Sequence, residues 1–216
     1  MLKTIKMTGL LGILAIATAS IALGSGIPDL SHSVATLAYP GAGALSLFNL
    51  PDGSGNPLTQ AYLVNSPGGQ ATLVDGTITL TLLDGNINPV SDFPLEDIWL
   101  RSTDGGMAPC IGGTNPDYNT DPFGQTVWQA PLMAGGSSLA FMQVSVNGQL
   151  IQGPGLPLAV NSADINGDLV VGLPDIVAFA SDYFGSYGFR SDFHCDGALN
   201  LSDLGKFASG MGTRCP

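Results

Sequence analysis

"DINGDLVVGLPDIVAF", residues 164–179, and "DFHCDGALNLSDLGKF", residues 192–207, are one phrase written twice. At an offset of 28 residues Asp164 falls on Asp192, Asp168 on Asp196, Val171 on Leu199, Asp175 on Asp203, Ile176 on Leu204 and Phe179 on Phe207. So many coincidences at one offset mark a duplicated unit. Side-chain oxygens at the first, third, fifth and twelfth positions of a loop, with a backbone carbonyl at the seventh, can surround one Ca2+. In the first loop these are Asp164, Asn166, Asp168, the Val170 carbonyl and Asp175. In the second they are Asp192, His194, Asp196, the Ala198 carbonyl and Asp203. Three carboxylates held this close repel one another unless a cation lies between them. Up to two Ca2+ per chain are expected.

Each loop is expected to open a helix. Asn200 is a good N-cap for "LSDLGKFASG", and Pro174 stands in a first turn, where its missing N–H costs nothing. Ile176, Phe179 and Ala180, with Leu204, Phe207 and Ala208, form stripes that can face each other. Val171 and Leu199 are expected to pair their backbones and join the loops. Leu169 stands where the loop favours Gly, and imidazole is a poor ligand for calcium. The first site should therefore be the tighter, the second weaker or completed by water. A transition metal held by His194 and Cys195 is the minor alternative.

Two calcium loops, each followed by one helix and lacking the preceding helix of a full EF-hand, resemble a dockerin module over residues 164–212. The first repeat carries "D-x-N-x-D-x-x-V-x-x-x-D" in full. The resemblance implies calcium-dependent docking onto a cohesin-like protein, which places a secreted protein on a scaffold or a bacterial cell surface. It also implies partner-binding positions just before the twelfth loop residue, here Leu173, Pro174, Leu201 and Ser202.

Upstream the rhythm changes to period two. "TITLTLLD" (77–84) sets Thr77, Thr79 and Thr81 against Ile78, Leu80 and Leu82, a half-buried strand. "LSLFNL", "QAYLV", "DIWLRS", "QTVWQA" and "AFMQVSVNG" read as further strands, separated by turn chemistry such as "PDGSGNP" and "DGNINP". "GGSS" (135–138) reads as a turn, and "GPGLPLAVNSA" (153–163) breaks the rhythm. "TITLTLLDGNINPVSDFPLEDIWL" followed by "TDPFGQTVW" is similar to bacterial immunoglobulin-like surface modules. The expected fold is mainly β: an antiparallel immunoglobulin-like β-sandwich over 27–160, then a small α-helical dockerin-like pair over 161–216. Trp99 and Trp128 are expected in its core, with a sugar-stacking platform as the alternative.

Composition bounds the rest. Thirty Gly and 15 Pro suit short strands and many turns, and a net charge of −11 disfavours nucleic acid. Residues 1–24, with Lys3 and Lys6 ahead of an apolar run, read as a signal peptide cleaved after Ala19 or Gly24, with a membrane anchor as the alternative. The mature chain is expected outside the cytoplasm, with no membrane span. Of three cysteines, Cys195 and Cys215 are slightly favoured as a disulfide, Cys110 with either partner remaining open. Only two histidines exist, His32 and His194, and Glu96, Asp97, Asp92, Asp117 and Asp121 show no catalytic spacing. The expectation is therefore a secreted, non-catalytic attachment protein. The alternatives are a self-assembling or adhesive subunit whose calcium pair packs on its own sandwich, and a carbohydrate-binding module of a polysaccharide-degrading system.

Overall fold

The computed structural model describes residues 26–64 and 70–216; the expected leader at 1–24 lies outside them. In chain order the strands are β1 Val34–Leu37, β2 Leu45–Asn49, β3 Ala61–Leu63, β4 Leu73–Val74, β5 Ile78–Thr81 and β6 Ile98–Ser102. Then come β7 Met107–Pro109, β8 Gln125–Trp128, β9 Ala134–Gly136, β10 Met142–Val146, β11 Gln149–Leu150 and β12 Leu158–Ser162. Two helices follow, α1 Leu173–Phe184 and α2 Leu201–Gly210. The architecture is mixed, several small sheets and two C-terminal helices.

The threonine-rich strand follows its predicted alternation over Ile78–Thr81, although Thr77 just before it is buried. β5 pairs antiparallel with β1 and β8, and Ile78 and Leu80 are buried while Thr79 and Thr81 stay half-buried. A second sheet runs β11-β10-β6, a third β12-β2-β3-β4, and β7 and β9 form a ribbon. Leu47, Leu80, Leu100, Trp128, Val144 and Leu158 bring these elements into one apolar core. Trp128 is fully buried, its indole N–H donating to the Thr114 carbonyl at 2.9 Å, which suits a core residue. Trp99 is half-buried on β6.

Among the described residues the strands form three small sheets and a ribbon. One expectation needs correction: the pairing is not wholly antiparallel, since β12 runs parallel to β2, Leu158 opposite Leu45 and Ser162 opposite Asn49. A parallel pair needs a long crossover, and here everything from β3 to β11 supplies it.

That pair explains why "LPLAVNSA" lacks a rhythm. Every residue of β2 and of β12 is buried. Leu45 and Leu47 of β2, with Leu158 and Val160 of β12, enter the main core. Phe48 and Leu50 point the other way, joining Ala163, Ile165, Val171, Phe179, Phe193 and Phe207 in a second core. A strand covered on both faces needs no polar side and reads as a continuous apolar run. The third sheet is thus a wall with the β core in front and the helices behind. Residue 160, where composition changes, lies within β12.

The second core is aromatic. Phe179 stacks on Phe207 with centroids 4.9 Å apart, and the fully buried Phe193 meets Phe48 edge-on at 5.2 Å. The predicted helix stripes face each other chiefly at these phenylalanines, for Ile176 and Leu204 keep about two-fifths of their surface exposed.

The disulfide also differs from the favoured pair. Cys110 is bonded to Cys215, with Cα atoms 5.7 Å apart, and Cys195 is a buried free thiol. α2 lies between Cys195 and Cys215 and rises about 15 Å over its ten residues. The tail beyond it is tied beside the first loop by Val171 N–H to the Thr213 carbonyl and Gly212 N–H to the Val171 carbonyl. Those bonds take the Val171 backbone that was expected to pair with Leu199.

Candidate metal centre

β12 ends at Ser162, and two residues later the first loop begins, so its entry is fixed by the sheet. Asp164 and Asp175 are fully buried and Asp168 is exposed; one carboxylate oxygen from each lies within 4.8 Å of the others. Most of the donors holding this triple are the loop's own backbone N–H groups. Asp164 Oδ1 accepts from Gly167 at 3.0 Å and Asp168 at 3.1 Å, and its Oδ2 from Leu169 at 2.8 Å. Asp175 Oδ1 accepts from Asn166 N–H at 3.1 Å and Oδ2 from Gly172 N–H at 2.8 Å, which also closes the first turn of α1. Asn166 donates its amide to Asp168 Oδ2 at 2.9 Å. Val170 is exposed beside the tail, in a bridge with Arg214. The Leu169 backbone is left-handed at φ 70°, the strained position where the loop favours Gly.

The β7–β9 ribbon forms one wall. Gly136 N–H donates to the Asp164 carbonyl at 2.7 Å, and the missing side chain of Gly135 leaves room for the Asp164 carboxylate. "GGSS" reads as a turn in the sequence, but Gly135 and Gly136 lie in β9, where Gly inside a strand signals close approach.

Burial sets the electrostatics. Desolvation pushes the Asp164 carboxyl up to about 6, against the pull of the Leu169 N–H and with help from the Asp175 and Asp168 charges. Burial raises Asp192 as well. For Asp164 the folded value lies above the unfolded 3.8, so the ion-free fold holds a proton more firmly than the unfolded chain. That contribution is complete in acid and is lost as pH rises through about 6. Asp29, Asp84, Asp104 and Asp182 shift downward from 3.8 and leave this window untouched. In chelator the protein should melt higher at pH 5 than at pH 7, and calcium should raise the pH 7 melt more. Calorimetry at both pH values measures this; equal melts in chelator would contradict it.

The second loop follows the same path without gathering its ligands. Left-handed residues occur at Gly167 and Leu169 in the first loop and at the matching Cys195 and Gly197 in the second. Asp192 and Asp203 are buried and Asp196 half-buried. Yet among the described residues Asp192, His194, Asp196 and Asp203 yield no close triple. His194 Nδ1 lies 3.3 Å from Asp203 Oδ1, and Ala198 N–H donates to Asp196 at 3.0 Å. Asp168→Ala should therefore weaken calcium binding roughly thirtyfold, about 2 kcal/mol, and His194→Ala only a few-fold. Isothermal titration of the two variants compares them, and equal losses would refute the ranking.

The outer face of the helices repeats as the sequence does. Leu173 and Leu201 are 76% and 75% exposed, and Ile176 and Leu204 are 39% and 42% exposed. Pro174 and Ser202 are exposed beside them. Matched apolar pairs thus point outward from helices whose other face is sealed on the sheet.

No family model, curated protein or solved structure matches this chain. Among the described residues no helix is long and apolar enough to cross a membrane.

Proposed function

We propose that the chain is a secreted, non-catalytic calcium-binding protein whose C-terminal loop–helix pair attaches it to a protein partner in the manner of a dockerin. The β part serves as an immunoglobulin-like display domain. One observation carries this: the duplicated, outward-facing pairs Leu173/Leu201 and Ile176/Leu204 sit on the two helices that the Asp-lined loops open. Large apolar side chains left exposed at repeated positions lose nothing by meeting an apolar partner surface and gain its burial. The expected partner is a cohesin-like module on a scaffold or cell surface. Calcium would hold α1 in the register that presents the face.

Binding to cohesin modules, read by interferometry in calcium and in chelator, tests the proposal. Association should need calcium and should fall at least tenfold in a Leu173→Asp, Leu201→Asp double variant that keeps its melting temperature. Undiminished binding by that variant would refute the docking face.

A second reading is favoured by the second core. Phe48 of β2 and Leu50 just beyond it pack among the phenylalanines of the helices, and the tail disulfide reaches the β7–β9 ribbon. In a self-assembling surface subunit the calcium pair would serve to stiffen its own β domain. Oligomers or filaments of the full chain in sedimentation experiments would favour this role. A polysaccharide role has less support, because Trp128 is fully committed to the interior.

A further inference from the structure

The two loops share a backbone path but differ in what satisfies their carboxylates. In the first, Asp164 and Asp175 accept from backbone N–H groups of the loop. There the exposed Asp168 also takes the Asn166 side-chain amide. In the second, side chains reach the buried carboxylates too. Tyr187 O–H donates to Asp192 Oδ2 at 2.8 Å, on an oxygen that also accepts from Gly197 N–H at 2.9 Å. Asn200 Nδ2 donates to Asp196 Oδ2 at 3.2 Å. Asp203 Oδ1 accepts from Phe193 N–H at 2.8 Å and His194 N–H at 3.3 Å, with the His194 ring nitrogen also 3.3 Å away. Tyr187 has no counterpart in the first repeat, where the matching residue is Ala159 of β12.

This donor set does not fit calcium. The ion takes six to eight oxygens, and here a nitrogen ring replaces the third-position oxygen, a phenol caps Asp192, and the carboxylates form no close triple among the described residues. Nor is that ring free to leave without cost. The His194 imidazole packs against Tyr62 of β3 with centroids 5.6 Å apart.

The same loop is fastened to the sheet. Asn161 of β12 donates its amide to the Asp192 carbonyl at 2.6 Å. One turn into α2, Lys206 Nζ sits 4.4 Å above the Phe48 ring and 4.5 Å above Tyr62, and donates to Asn56 Oδ1 at 3.0 Å. A cation over two aromatic faces with a neutral acceptor at its tip is a specific grip.

We infer that the two repeats have divided the work: the first loop takes the ion, and the second is a metal-free anchor holding α2 on β2 and β3, so the chain binds one Ca2+. This rests on the calcium reading of the first loop.

Titration of the full chain with Ca2+, counting ions per chain, tests it. One ion is expected, with Asp196→Ala changing the affinity less than threefold and Asp168→Ala weakening it. Two ions in the unaltered protein would overturn the division while leaving the first site intact; no ion would remove the calcium reading itself. A Tyr187→Phe, His194→Asp variant clears the phenol and restores an oxygen at the third position. It should gain a second ion. If it folds, as judged by an unchanged melt in chelator, and still takes one, the assigned cause of exclusion is wrong.

Discussion

Replacing Cys215 by Ser should lower the stability of the protein by about 4–5 kcal/mol, the largest loss expected from any single change outside the aromatic core. Cys110 and Cys215 are 105 residues apart, and closing so long a loop removes much of the freedom of the unfolded chain. The native side adds to this. Beyond α2 the tail is held to the first loop by three backbone bonds, from Val171 N–H to Thr213, Gly212 N–H to Val171 and Cys215 N–H to Leu169. Once the covalent tie is gone, these become end contacts that can fray. The experiment is urea unfolding of Cys215→Ser against the unaltered chain, both carrying Cys195→Ser so that no third thiol can exchange. The midpoint should fall markedly, and calcium affinity should fall with it because the tail supports the ion loop. An unchanged midpoint would show that the bond contributes nothing beyond what the folded contacts already secure.

What the sequence revealed and what it hid divide along one line, the distance over which each feature is built. The first Asp cluster was legible because Asp164, Asp168 and Asp175 lie within one turn-and-helix unit, and the structure does bring their oxygens together. The alternation of Thr77 to Leu82 was legible for the same reason, since a strand half in water carries its own period. β12 was not legible. Its partner β2 lies far upstream, and burial on both faces erased the alternation that marks a strand. The disulfide was not legible because nearness in sequence favours Cys195 with Cys215, while nearness in space joins Cys110 to Cys215. Cys195 faces Asn161 beneath the second loop while the tail runs to the ribbon. The matching aspartates of the second loop hid its difference from the first, because Tyr187 and the Tyr62 ring reach it from outside the repeat. Function follows the same line. Local spacing suggested calcium; only the packing shows which face of the helices stays exposed.

Gly135→Ala should damage the ion site although it lies about 30 residues from the nearest ligand in the chain and adds one methyl group. A Cβ built on Gly135 would stand 1.8 Å from Asp164 Oδ2 and 2.6 Å from its Cγ, far inside contact distance. Ordinarily a carboxylate at the end of a side chain could swing aside. Asp164 cannot do so cheaply, because three backbone N–H groups pin its two oxygens and it is fully buried. Either the carboxylate leaves those donors and the Asp cluster, or β9 moves away and breaks the Gly136 bond to the Asp164 carbonyl. Overpacking of this kind costs about 1–3 kcal/mol, and at the upper end calcium affinity falls roughly a hundredfold. The backbone does not confound the experiment, since Gly135 is not among the left-handed glycines, whereas its neighbour Gly136 has φ 75°. Gly205 supplies the control. It is exposed within α2, a Cβ there meets nothing within 4 Å, and Gly205→Ala should stabilise by about 1 kcal/mol with calcium binding unchanged. Calorimetric titration and thermal melts of both variants decide the matter. If Gly135→Ala binds calcium as tightly as the unaltered chain, then Asp164 is not where the ion is held, and the ribbon is not a wall of the site.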